Sequence, residues 1–334
     1  MIDGIFVFDC VIHVTDTSDA NTLPGDGRAG RDSIVRVTES VTRPDSAAYM
    51  PSMTHAFSPE EVYDLVFEQG MTDMAMAQVV PIFDWFENWF APVAAQHAMA
   101  ERYPERVLFC GGVDPAASGL EQALEQITHQ VQDMGAKSFK FYNGHVRNSW
   151  RCDDEELAYP LYQRCLDLGI DVIQFHKGLP FGNQPLAPLT PLDLERPAID
   201  FPDLRFVIHH LAVPFFDEVC SLGARHENIY LALSANLNLL HVAPRLVQKQ
   251  VGQLLAQVPL HKLLWGSEAA LVGCTAPYLK AFMEMEIPED LRRGYGYPQI
   301  TRADKERILG RNFAELIGVD IDAKSDTLGL MSAS

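Results

Sequence analysis

Along most of the chain, short apolar runs rich in β-branched and aromatic residues alternate with amphipathic stretches. The strand-like runs fall at 5–13 (IFVFDCVIH), 72–82, 106–114, 136–144, 170–178, 204–212, 228–236 and 262–270. Between them lie helical patterns such as LEQALEQITHQVQDMG, PRLVQKQVGQLLAQV and SPEEVYDLVFEQG, the last with a Ser-Pro-Glu-Glu start and a Gly stop. Several strands are near-continuous apolar runs, as parallel strands covered on both faces require. Eight such units predict an α/β fold, a single (β/α)8 TIM barrel. A doubly wound sheet is the alternative, but neither G-x-G-x-x-G nor G-x-x-x-x-G-K-[ST] follows the first strand. With no internal repeat or linker, residues 1–320 read as one domain and 321–334 as a flexible tail.

Two interruptions stand out. Residues 14–57 form a long polar loop excursion after the first strand, the kind of connection that is usually functional or mobile. Residues 81–93 place Phe83, Trp85, Phe86, Trp89 and Phe90 just past the second strand. These aromatics either pack a helix onto the barrel or line a pocket for a large apolar substrate, and the pattern weighs the two evenly.

Composition narrows the partners. With 334 residues, 47% of them hydrophobic, the chain can bury a large core. A formal net charge of −19 repels phosphate backbones and anionic lipid, which disfavours nucleic acid and membrane and leaves a small-molecule substrate. The six cysteines are scattered without a C-x-x-C pair, and no signal-peptide pattern or membrane-length apolar run is present, so a reducing cytoplasm is the expected location.

In such a barrel the reaction site lies at the carboxyl ends of the strands. The first strand ends in His13, the fourth carries Lys140, the fifth ends in His176, the sixth in His209-His210, and the eighth in Ser267-Glu268. Each alone has a dull explanation, but those ends converge on one mouth. Imidazole and carboxylate together suit zinc or another first-row divalent ion. Alternation does not choose between His209 and His210, whose side chains point to opposite faces. Lys140 is costly to bury as a cation, so it should be paired with Asp9 or Glu268, modified, or deprotonated. A serine hydrolase would need G-x-S-x-G, which WGSEA lacks, so Ser267 is read as capping the next turn.

The stretches FDCVIH, DVIQFHKG, DLRFVIHHLA, KLLWGSEAA and ERILGRNFAELIGVD, in that order, resemble the amidohydrolase superfamily. The likeness is to its amidohydrolase-related branch, which includes aminocarboxymuconate-semialdehyde decarboxylase, dihydroxybenzoate decarboxylases and lactone hydrolases. The resemblance implies that His13, His176 and His210 are metal ligands, and that Glu268 stands for the family's strand-eight Asp as ligand and general base. It implies one or two divalent ions, zinc first, with iron or manganese as alternatives. Asp9 and Lys140 would complete a two-metal set, Lys140 as a carboxylated bridge, an amine ligand or a clamp on substrate. His209 and His145 would support the ligands or touch substrate, and His55 would fold back over the site, with Trp85, Phe86 and Trp89 binding the remainder. A homodimer is the family-level expectation.

Two departures modify the implied site. Val11 replaces a first-strand His, and Glu268 replaces Asp with a side chain one methylene longer. Together they read as a rebuilt site more than a decayed one. The leading expectation is a metal-dependent hydrolase of an ester, thioester, lactone or amide with a large apolar acyl group. Non-oxidative decarboxylation of an aromatic or dienoic acid is the alternative, and a non-catalytic barrel with a lapsed metal site the third.

Overall fold

The structure, a computed structural model, describes residues 1–47 and 54–330. Residues 48–53 of the excursion and the last four residues lie outside that description. All eight expected strands form: β1 (Phe8–Ile12), β2 (Met74–Gln78), β3 (Val107–Gly112), β4 (Ser138–Phe141), β5 (Val172–Phe175), β6 (Arg205–Ile208), β7 (Ile229–Ala232) and β8 (Leu263–Leu264). They pair in parallel in sequence order. Backbone bonds between β1 and the end of β8 close the ring, Cys10 N–H donating to Trp265 O at 3.1 Å and Glu268 N–H to Val11 O at 3.2 Å. The fold is a TIM barrel.

Strand alternation decides what faces the interior. In β4, Phe139 and Phe141 join the outer core under the helices, which leaves Ser138 and Lys140 pointing inward. In β5, Ile173 and Phe175 face outward and Gln174 inward. Val11 is fully buried in the barrel's inner cluster with Met76, Val207 and Leu264. It sits so close to Gly266 that a Cβ there would meet Val11 Cγ1 at 2.4 Å.

The outer layer includes α2 (Val93–Arg102), α3 (Leu120–Gln132), α4 (Ala158–Asp167), α5 (Glu195–Asp200), α6 (Phe216–Arg225), α7 (Pro244–Gln257) and α8 (Asn312–Ile317). Before them comes α1 (Asp26–Val41), a 16-residue helix inside what reads as a polar loop. It lies flush on Trp85, because Gly30 carries no side chain: a Cβ there would stand 2.2 Å from Trp85 Cδ2. On its other side Ser33 Oγ accepts from Gly182 N–H at 2.8 Å. Gly30→Val is therefore expected to overpack this seat and cost about 1–3 kcal/mol, read as a lower urea midpoint.

Part of the stretch read as a tail is helical. Residues Ile321–Thr327 form α9, started by Asp320, whose carboxylate accepts from the N–H groups of Asp322 and Ala323. Ile321, Leu328 and Leu330 pack against the apolar cluster at the barrel's inner end. Among the described residues, no helix is long and apolar enough to cross a membrane.

Candidate active site

A cavity of about 200 Å³ opens at the carboxyl end of the barrel. Its floor holds His13, Lys140, His176, His210 and Glu268, contributed by five different strand ends. His210 Nε2 lies 3.0 Å from His176 Nδ1, His13 Nε2 lies 3.3 Å from Glu268 Oε2, and His210 Nδ1 lies 3.8 Å from Glu268 Oε1.

Hydrogen bonds reaching down into the barrel dictate which imidazole nitrogens carry protons. Gln78 Nε2 donates to Cys10 O at 2.6 Å and to Gln174 Oε1 at 2.8 Å. That makes Gln174 Oε1 an acceptor, so His209 Nε2, 2.8 Å away, must donate to it. Burial pulls the His209 pKa well below its ordinary value, aided by Lys140 and the neighbouring imidazoles, so the ring is neutral. Its Nδ1 therefore accepts from Ser234 Oγ at 3.1 Å. With that hydroxyl proton committed, His210 Nδ1 donates to Ser234 Oγ at 3.2 Å and His210 Nε2 is left as an acceptor. His176 Nδ1 then donates to His210, and His176 Nε2 is a buried lone pair without a partner. His13 Nδ1 donates to Gln78 O at 2.8 Å, which aims Nε2 at the Glu268 carboxylate. A proton or a cation must stand between them.

The charges fit this reading. Burial holds His176 well below the ordinary imidazole range and His210 down at about 4, so both are neutral donors. Burial pushes the Glu268 carboxyl up, but His210, His13 and Lys140 outweigh it and hold the group below the usual range. Burial also brings the Lys140 ammonium down to about 8 against the attraction of Glu268. Lys140 has no hydrogen bond or ion pair among the described residues. His210 and Glu268 both adopt left-handed backbone, with φ of 59° and 62°. Such strain costs on the order of 1–3 kcal/mol per residue and persists where the surroundings enforce it, often at functional sites.

Several candidates sit elsewhere. His209 lies beneath the cavity with both nitrogens occupied. Asp9 is fully buried, Oδ1 accepting from Ser267 N–H at 2.9 Å and Val11 N–H at 3.1 Å, so it fastens β1 to the end of β8. Burial pushes its carboxyl up to about 7 despite those bonds. Ser267 Oγ accepts from Ala269 N–H at 2.9 Å, capping the turn as expected. His55 pairs with Glu61 at 3.0 Å and His145 with Asp114 at 2.7 Å, both away from the cavity lining. Trp85 and Phe86 are buried beneath and beside α1, and Trp89 packs on the core, so none of the three lines the cavity, whereas Phe90 does. The relay through Gln78, Gln174 and Ser234 escaped sequence reasoning, although a glutamine in the middle of an apolar strand is its visible trace.

The floor groups meet in pairs: among the described residues, no three His, Cys, Asp or Glu side chains close around one point as a bound ion requires. Their chemistry nevertheless fits a divalent cation. His13 and His176 each carry a proton on Nδ1 and turn Nε2 to the cavity floor that also holds Glu268, and both His176 Nε2 and Glu268 Oε1 are buried without hydrogen-bond partners.

The family model described as Amidohydrolase matches residues 9–319. The chain belongs to the amidohydrolase family. Characterised amidohydrolases of this family are metal-dependent hydrolases or non-oxidative decarboxylases of aromatic acids. No curated protein matches the chain. Among solved structures, an uncharacterised TIM-barrel protein of Bordetella bronchiseptica superposes with a TM-score of 0.65 at 21% identity, covering 94% of this chain and 99% of that one. An amidohydrolase of Burkholderia multivorans with bound zinc gives 0.55 at 13% identity, over 94% and 100% of the two chains. The 5-carboxyvanillate decarboxylase of Novosphingobium aromaticivorans, with manganese and a nitrobenzoic acid bound, gives 0.54 at 13%, over 95% and 98%. At these identities the likeness concerns the fold.

Proposed function

We propose that this amidohydrolase hydrolyses an acyl bond, of the ester, thioester, lactone or amide type, with a divalent ion bound by His13, His176, His210 and Glu268. When bound, the ion would acidify a water molecule and polarise the substrate carbonyl. Zinc heads the candidates, with manganese and iron behind it, since neutral imidazole and carboxylate accept all three. Glu268, held ionised, takes the proton from the attacking water. Lys140 faces the same floor and stabilises the negative charge that develops on the carbonyl oxygen. The relay of Gln78, Gln174, His209 and Ser234 fixes the His210 proton on Nδ1 and, through His210 Nε2 as acceptor, the His176 proton on Nδ1, which leaves His176 Nε2 without a donor.

The observation that supports this reading best is His13 Nε2 at 3.3 Å from the Glu268 carboxylate, a gap that a shared divalent ion closes as well as a proton does. His176→Ala and His210→Ala are each expected to lose bound metal and turnover together. Metal analysis of purified protein checks this, and full metal content in both variants would overturn the ligand assignment. One observation favours decarboxylation as a second reading: the unpaired Lys140 matches a substrate carboxylate. Carbon dioxide release from a benzoate panel, with no ester cleaved, would put that reading first.

A further inference from the structure

One wall of the cavity is a single face of α1, formed by Ile34, Val37, Thr38 and Val41 at helical spacing. Leu246 and Gln250 of α7 also line it. Above the polar floor the wall is mainly aliphatic, and one of its few aromatic rings, Tyr142, is tilted against His176 with 4.4 Å between centroids.

The rim is apolar as well. Val37 and Leu246 both line the cavity and are exposed, at 37% and 47%, and Val242, four residues before Leu246, is 51% exposed. Scattered exposed aliphatics need no explanation, but these lie at or beside the rim of a cavity whose aliphatic wall continues inward. The wall is therefore a channel that keeps an apolar chain covered from the floor to solvent. At its inner end stands Lys140, buried, basic and without an anion bonded to it. Such a group is completed by a ligand carboxylate or by the oxygen of an acyl head.

We propose that the site takes acyl compounds bearing an unbranched aliphatic chain, with the head on the floor beside Lys140 and the chain leaving between Val37 and Leu246. This rests on the acyl-hydrolase reading, and it makes α1 the specificity element: a flat aromatic acid would leave the aliphatic upper wall bare. The probe is a series of straight-chain carboxylates from butanoate to dodecanoate, the products such hydrolysis would release. They are titrated calorimetrically into the protein as purified, with benzoate alongside.

Affinity should rise about threefold per added methylene, then level off once the chain reaches solvent. Ile34→Trp, which narrows the channel from α1, should bring the plateau to shorter chains. Leu246→Asp, at the exposed rim, should weaken dodecanoate by roughly tenfold and butanoate much less. Affinity independent of chain length, benzoate binding tighter than heptanoate, or dodecanoate binding untouched by Leu246→Asp would each overturn the proposal. Chain-length-dependent binding without cleavage of any ester would support it while removing the hydrolase reading. Ester cleavage with flat binding would do the reverse.

Discussion

Glu268→Gln is expected to lower kcat by about 10²–10⁴-fold while the protein remains folded. Glutamine keeps the length and shape of the side chain but accepts no proton near neutral pH. The wild-type carboxylate is held ionised against its own burial by His210, His13 and Lys140, which is the state a general base needs. Its Oε1 is buried with no hydrogen bond, and the amide of glutamine still faces His13 Nε2, which lies 3.3 Å from Oε2, so that contact is altered and not emptied. The residue also keeps left-handed backbone, φ 62°, where glycine would be unstrained, so its side chain is retained at a conformational cost. Steady-state rates on any cleaved ester, beside melting curves of both proteins, check the expectation. Turnover within threefold of wild type would remove Glu268 from the proton transfer, and a large fall in melting temperature would give it a structural task instead.

The barrel was legible because alternation and burial write eight strands directly into the chain, and all eight lie within the runs read as strands. The floor of the site was legible for a related reason. His13, His176, His210 and Glu268 interrupt or end apolar runs, where a polar side chain has to be explained. What stayed hidden depended on contacts between distant segments. The α1 stretch reads as polar because its partners are a cavity and the ring of Trp85, which need only a narrow apolar face and two glycines, Gly27 and Gly30. The aromatic cluster after β2 was weighed evenly between packing and substrate, and Trp85, Phe86 and Trp89 pack. Val11 looked like a gap in a ligand set, yet the side chain lies in the barrel interior against Gly266 and is absent from the cavity wall. Only the closed barrel tells that position from His13, two residues on.

His145 has the largest expected effect on stability. It is fully buried, with Nε2 2.7 Å from Asp114 Oδ2 and Nδ1 3.5 Å from Asp84 Oδ1. The ring of Phe83 lies against it at 4.4 Å, and Asp84 also accepts from Val146 N–H at 2.6 Å. One imidazolium thus ties together the segments that follow β2, β3 and β4 at the rim of the site. Burial lowers its pKa, but the two carboxylates outweigh burial and raise it from an ordinary 6.5 to about 9. Because the folded-state value is raised, the stabilisation is fully present below 6.5 and is lost as pH climbs through about 9. At 1.36 kcal/mol per pKa unit it amounts to roughly 3 kcal/mol. His145→Leu fills much of the space but leaves two carboxylates facing an apolar side chain, and should cost about 3–5 kcal/mol near neutral pH. Urea unfolding of both proteins at about pH 6 and about pH 9.5 isolates the contribution, since all other titrating groups are shared. The gap between them should be wide at the lower pH and narrow at the higher. A gap that stays constant across that range would mean that the ring is held neutral, and that packing against Phe83 and Tyr142, not charge, secures the three segments.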